Sequence, residues 1–329
     1  MSKRIAFFLV LTVFGLMRRA SAQTSLFYLE VQGVAGYSTT QDKWILYSLH
    51  PDHPMQKPGL GFDYLQRFSR ETGDFAVLAV QARLAWNDEG RKMLEPQLYN
   101  AYLKFKLPAV DLWVGHNRPA FGLSSVFDGH ALLLPTIVMN GFGFDRDWGL
   151  GLGRDFSHGN WAISMTSGSG MPLRLEGNYL LSGRLSFGVL GSDNRSIGLS
   201  AAYGEVLDAM GYEVISSSPL PLRLAGLDVT SLWNNLENRL EAVAGQKSGT
   251  SAWALFWRLG INLLEENRLK WEFQPVLTRE NGTNRLEFST GLSYLATADL
   301  TLRTMVITDR EARDTRIVFQ AYYYKRILF

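Results

Sequence analysis

The chain has 329 residues, no cysteine, and 33 Lys and Arg against 31 Asp and Glu. Without cysteine there are no disulfides, thiolate metal sites, cysteine nucleophiles or lipidated N-terminal cysteine. A net charge of +2 excludes a strongly basic surface, so no nucleic-acid partner is expected.

The first residues read as an export signal. Lys3 and Arg4 form a basic start, residues 5–17 an apolar core, and Ala20-Ser21-Ala22 a small-residue cleavage site. That core is too short to cross a bilayer, which takes ~20 residues. The chain therefore divides into a signal peptide, 1–22, and one domain, 23–329. The leader carries four cations (Lys3, Arg4, Arg18, Arg19), so the remainder is 29 − 31 = −2, and the pI near 8.7 belongs to the leader.

From residue 25 onward the dominant signal is alternation of apolar and polar residues. Sixteen strands are predicted: 25–38, 60–71, 74–87, 95–107, 109–116, 146–156, 160–167, 180–190, 196–204, 223–232, 238–245, 252–262, 268–278, 284–295, 299–308 and 315–328. The first puts Phe27, Leu29, Val31, Gly33, Ala35 and Tyr37 on one face and Glu30, Gln32 and Ser38 on the other. The fourth sets Tyr99, Ala101, Leu103 and Phe105 against Asn100, Tyr102, Lys104 and Lys106. Later strands are more regular: Trp253, Leu255, Trp257, Leu259 and Ile261 oppose Arg258 and Asn262. Two places strain the pattern. Gln66 falls among Phe62, Tyr64 and Phe68, and Pro275 interrupts strand 13, where it predicts a bulge or a strand end.

Connectors after the even strands are short, while those after strands 1, 3 and 5 are longer. With strand lengths near the ~9–11 residues of a tilted crossing, this predicts an all-β, transmembrane antiparallel barrel of the outer-membrane type. A soluble sandwich shows the same alternation with the faces reversed. The export signal, the loop asymmetry and the aromatic end "YYYKRILF" favour the barrel, whose sheet must close because lipid leaves no partner for an open edge.

The stretch "LEPQLYNAYLKFKLPAVDLWVGHNRPAFGL" (94–123) resembles the phosphate-selective porin O and P family of bacterial outer-membrane porins. The likeness lies in its "AY" strand, its short turn, and the strand end Val114-Gly115-His116-Asn117-Arg118-Pro119-Ala120-Phe121-Gly122. Arg146-Asp147-Trp148-Gly149-Leu150, "SMTSGSG" (164–170) and "GLDVTSLW" (226–233) are similar to further family segments. The resemblance implies a homotrimeric diffusion porin with a long loop folded into the lumen, and phosphate as one solute. Phosphate-selective members line their pores with many lysines, whereas this chain keeps eight after the leader. The terminal Phe329 resembles the signal read by the barrel-assembly machinery, an expected partner alongside outer-membrane lipid.

The connector 117–145 is the third long-side loop, and its apolar run 131–139 would be a liability in water. It is expected to pack inward and narrow a pore, or to pack on a neighbouring subunit. Pore-lining candidates are Arg83, Lys104, Lys106 and Arg118, with Arg258, Lys270, Arg285 and Arg303 on the far wall. Inward acids are expected at Glu30, Asp111, Asp228, Glu241, Glu272 and Glu287. Facing charges of opposite sign set a transverse field; alternatively they pair and simply hydrate the wall. Gly149, Gly151 and Gly153 fall on lumen positions and predict space for something packed inside. No cofactor or metal is expected: His50 and His53 read as loop residues, and Gly168-Ser169-Gly170 as a turn rather than a nucleophile elbow.

The sequence thus points to an outer-membrane passive channel for small hydrophilic solutes, anions among them, and not to an enzyme. The alternative is a non-conducting structural barrel, plugged by Tyr102, Trp113, Phe256, Tyr322 and Tyr324.

Overall fold

The computed structural model describes residues 22–46, 57–71, 73–86, 93–127, 132–188, 193–309 and 314–328. The strands are β1 (Ala22–Ser38), β2 (Lys43–Ile45), β3 (Gly59–Arg70), β4 (Gly73–Trp86), β5 (Leu94–Lys106), β6 (Asp111–Asn117), β7 (Asp147–Phe156), β8 (Gly159–Thr166) and β9 (Tyr179–Phe187). They continue as β10 (Arg195–Met210), β11 (Glu213–Trp233), β12 (Leu236–Lys247), β13 (Thr250–Leu263), β14 (Leu269–Glu280), β15 (Thr283–Leu295), β16 (Leu300–Asp309) and β17 (Asp314–Ile327).

From β3 onward each strand pairs antiparallel with the next, and β17 closes on β1 from Phe27↔Ile327 to Ser38↔Arg316. The other side of β1 pairs with β3 over residues 22–32 and with the short β2 over 36–38. β2 and β3 therefore share one place in the wall, which makes a closed barrel of sixteen strands. Closure gives every strand two neighbours and leaves no edge.

The faces are inverted relative to a soluble sandwich. Leu199, Leu227, Leu240, Leu255 and Phe319 are exposed on the outside, while Glu30, Asp228, Glu241, Arg258, Gln274 and Gln320 are buried inside. An apolar exterior around a polar interior is the arrangement of a transmembrane β-barrel. Among the described residues no helix is long and apolar enough to cross a membrane.

Strand boundaries lie within a few residues of the expected ones except at β10 and β11, which run 16 and 21 residues. The expected connector 205–222 is instead their paired extension, bent by register shifts near Val206 and Asp208 and closed at Gly211-Tyr212. Ser248-Gly249 and Asn281-Gly282 close the β12–β13 and β14–β15 hairpins, with φ of 54°, 81°, 51° and 81°. Positive φ at both central residues is the type I′ turn that matches strand twist. Long connectors are thus confined to the first half of the barrel.

Local surprises have local causes. Between β4 and β5, Gln81 pairs with Asn100 and Ala82 with Leu98, leaving Tyr99 as an extra residue. This β-bulge turns Tyr99 inward, against Arg83, where simple alternation placed it outside. Gln66 does lie on the outer face, buried, with its amide oxygen bonded by Tyr64 Oη at 2.7 Å. At Pro275 the β13–β14 pairing skips from Phe256↔Val276 to Leu259↔Phe273, the break expected of a residue without an N–H. Phe329 lies outside the described residues.

Candidate functional site: the lumen and its inserted segment

The connector between β6 and β7 contains two short 3-10 turns, Leu123–Ser125 and Ile137–Asn140. Phe121, Leu123, Ile137, Val138 and Phe142 pack on inward residues of β9 to β14, including Leu180, Ala202, Phe256 and Val276. Leu133 and Leu134 instead meet Val34, Met305, Ile307 and Val318, from β1, β16 and β17. The segment leaves the wall between β6 and β7 and reaches strands from β9 round to β17 and β1, a span it covers only from within the barrel. The apolar run that looked like a liability is buried there from Leu133 to Met139.

Polar contacts pin the segment. Leu123 N–H donates to Glu241 Oε1 at 2.8 Å. This approach passes over Gly122, whose φ of 62° and bare Cα leave room for the carboxylate; a Cβ there would collide with it. Arg258 Nη2 donates to the carbonyls of Leu134 and Pro135 at 3.1 and 3.2 Å, and its Nε to Gln274 Oε1 at 2.6 Å. Gln274 Nε2 adds a bond to Pro135 O at 2.8 Å. The fully buried guanidinium also lies over the rings of Phe127 and Phe256. A buried cation is costly unless donors find partners, and here the inserted backbone supplies two acceptors to Nη2 and Gln274 one to Nε. Arg258, expected to line a pore, thus serves as a clamp.

The other seven expected cations divide by partner. Arg83 is buried on Glu30 and lies 5.1 Å from the Tyr99 ring centre. Lys104 pairs with Asp111 at 2.6 Å. Lys270 bridges Glu237 and Glu272 at 2.9 and 3.4 Å, and Arg285 pairs with Asp309. Arg303 donates to Gln320 Oε1 at 2.8 Å and lies over Tyr322. Lys106 is exposed at the end of β5. Arg118 lines a cavity beside the inserted segment. The set forms no continuous exposed row; Arg83, Lys104, Lys270 and Arg285 are each paired with an acid of the wall. Arg268 sits in the turn before β14 and donates to the Leu295 and Ala296 carbonyls.

Sequence reasoning passed over Arg184. It holds Asp228 in a two-pronged contact of 2.7 and 3.1 Å and lines the same cavity as Arg118. The alternation of Leu181, Gly183 and Leu185 would have placed it inward. Two cavities flank the inserted segment. One, about 360 Å³, lies between residues 140–144 and the side of the wall bearing Lys247, Glu280 and Arg285. The other, about 330 Å³, lies on the side of β5, β6, β8 and β9. Among the described residues no cluster of His, Asp or Glu could hold a metal ion.

No protein-family model matches the chain, and no curated protein matches it in sequence. Solved structures do match. OmpT of Vibrio cholerae, an outer-membrane protein in a trimer form, aligns with TM-score 0.63 at 10% identity over 93% of this chain and 100% of that one. The anion-selective porin from Comamonas acidovorans gives 0.61 at 11%, covering 92% and 100%. The outer-membrane channel DcaP of Acinetobacter baumannii gives 0.59 at 11%, covering 93% and 98%. At such identities the likeness is one of fold: this chain has the barrel fold of bacterial outer-membrane porins and channels.

Proposed function

We propose that this chain is a bacterial outer-membrane porin, a passive diffusion channel for small hydrophilic solutes with a modest preference for anions. The carrying observation is a closed wall whose charged face points inward around an inserted segment flanked by two polar cavities. Rings and rows of such charges tune ion passage. The anion preference is modest because most lumen cations share an acid. It draws on the cations beside the segment, Arg118 and Arg184, the latter shared with Asp228.

In this reading residues 1–22 are the export signal, the apolar exterior faces lipid, and three copies associate, as in the trimer form of Vibrio cholerae OmpT. The chemistry is transport without catalysis. The test is single-channel conductance of the purified, folded protein in a planar bilayer, with reversal potential in a KCl gradient. Steady conductance with a reversal potential displaced toward chloride is expected. A folded protein that never conducts overturns the channel, and a cation-selective potential overturns the preference alone. The filling of the interior by the inserted segment and Phe256 favours one second reading, a plugged interaction barrel. Absent conductance with a stoichiometric co-purifying partner would establish it.

A further inference from the structure

The end of the β10–β11 hairpin rises beyond its neighbours in the wall. β10 last pairs with β9 at Glu205↔Tyr179, and β11 last pairs with β12 at Leu222↔Lys247. Between those points, residues 206–221 have no strand partner but each other. Register shifts on both sides of Asp208 interrupt that ladder at its base. Irregularities of this kind bend a hairpin. This one bends inward: Leu207 is buried, and its N–H donates to Gly168 O at 2.8 Å. Gly211, at φ 57°, forms the turn.

The tip lands away from its own strands. Tyr212 packs with Met139 of the inserted segment, Met171 of the β8–β9 connector and Tyr99 of β5. Its ring centre lies 6.3 Å from that of Tyr99, edge to face at 84°. β6 to β9 separate β5 from β10 in the wall, so the hairpin reaches Tyr99 by crossing the mouth on the long-loop side. The bulge at Tyr99 supplies the catch, because regular alternation would have turned that ring outward. A cavity of about 30 Å³ remains between Ala209 and Gly211 of the hairpin and Val138 and Met139 of the segment. Through Val206 to Ala209 the same hairpin walls the neighbouring cavity of about 360 Å³.

The contact at the tip is opposed by one group. Tyr212 Oη is buried and has no hydrogen-bond partner. A buried hydroxyl left unpaired disfavours the arrangement that buries it, and water would satisfy it. Packing of the ring on Tyr99 and two methionines favours the same arrangement. The inserted segment, in contrast, is pinned by hydrogen bonds with Glu241 and Arg258.

We propose that the end of the β10–β11 hairpin is a lid on the long-loop mouth, hinged at the register shifts around Asp208 and latched by Tyr212. Swinging outward would hydrate the Tyr212 hydroxyl and join the two cavities into one passage. The proposal deepens the channel reading and rests on it for the effect on current, but the motion itself does not require conduction.

The chain has no cysteine of its own, so two introduced thiols can carry spin labels cleanly. Glu213→Cys marks the exposed tip and Leu94→Cys the exposed start of β5. Electron–electron resonance distances are measured on the folded full-length barrel in detergent, and single-channel KCl currents on the same preparations. A dominant short distance with a minor long one is expected. Tyr212→Phe removes the unpaired hydroxyl and keeps the ring, so the long population should fall about tenfold. Tyr212→Ala removes the latch, and the long population should dominate. A merely structural tyrosine would not move the two variants in opposite directions. Time spent at the lower current should follow the short population. A conducting barrel with one distance that neither variant changes overturns the lid and leaves the channel standing. Populations that shift while the current ignores them overturn the lid as a gate. The predicted shifts in a barrel that never conducts support the lid and remove the channel.

Discussion

The carboxylate of Glu241 on β12 accepts the backbone N–H of Leu123 at 2.8 Å, joining the wall to the inserted segment across 118 positions of sequence. Glu241→Ala leaves that buried donor without its acceptor, a loss of about 1–3 kcal/mol. The segment should loosen, giving larger and noisier single-channel currents and faster protease cleavage near residues 122–126. Glu241→Gln keeps an acceptor oxygen and should remain close to the parent. Identical currents and cleavage rates in the alanine variant would contradict this role.

Arg258 gives a prediction of the opposite kind. It is 0% exposed and bonded to the inserted backbone, so it stands outside any water-filled path. Arg258→Ala should lower the temperature at which the folded barrel loses its compact, fast-migrating gel form, with a reversal potential close to the parent. A large change in ion selectivity without loss of stability would place it in the path after all.

Lys270 and Arg285 should behave differently from Arg258. Lys270→Gln leaves Glu237 and Glu272 without their shared cation, and Arg285→Gln leaves Asp309 without its partner. Both side chains keep partial exposure, so salt screens the effect. Each substitution should shift the reversal potential toward cations, more at low salt than at high salt, and the double variant further than either. A shift toward anions would refute the assigned pairing.

The outer wall can be tested by depth. Leu255, exposed near the middle of β13, should tolerate Val, whereas Leu255→Arg should cost about 2–4 kcal/mol if that position sits at the bilayer midplane. Guanidinium unfolding from lipid vesicles measures this. An arginine accepted there without cost would mean that this face meets something other than lipid.

The chain's last residue can be separated from its pore. Removal of Phe329 should reduce the yield of barrel inserted into the outer membrane, while the fraction that inserts conducts like the parent. Normal assembly of the shortened chain would count against recognition through that aromatic.

Much of this barrel was legible in period-two alternation, because each wall strand has one face toward lipid and one toward the lumen. Tyr99 escaped that logic. A bulge reverses the parity of everything beyond it, and nothing in "QLYNAYL" marks the extra residue. The β10–β11 extension was hidden by Ser216-Ser217-Ser218-Pro219, which reads as loop. The partners of the candidate cations depend on register between strands, which single-strand patterns do not contain. Gly151 shows the same limit: the sequence indicated vacant space, and only the neighbouring strand reveals that Trp113 occupies it.

The seam between β1 and β17 has a kinetic consequence. Phe27 meets Ile327, and every hydrogen bond along that seam joins the two ends of the domain. Hairpins along the chain can zip locally, but the last ladder waits for the whole polypeptide and must overcome the entropy of the largest loop available. Until then β1 and β17 are the only wall strands that need lack a partner, and each is a ready template for some other chain's strand. A helper that occupied these two ends during insertion would suppress misassembly at its most exposed point, whatever solutes the finished wall admits.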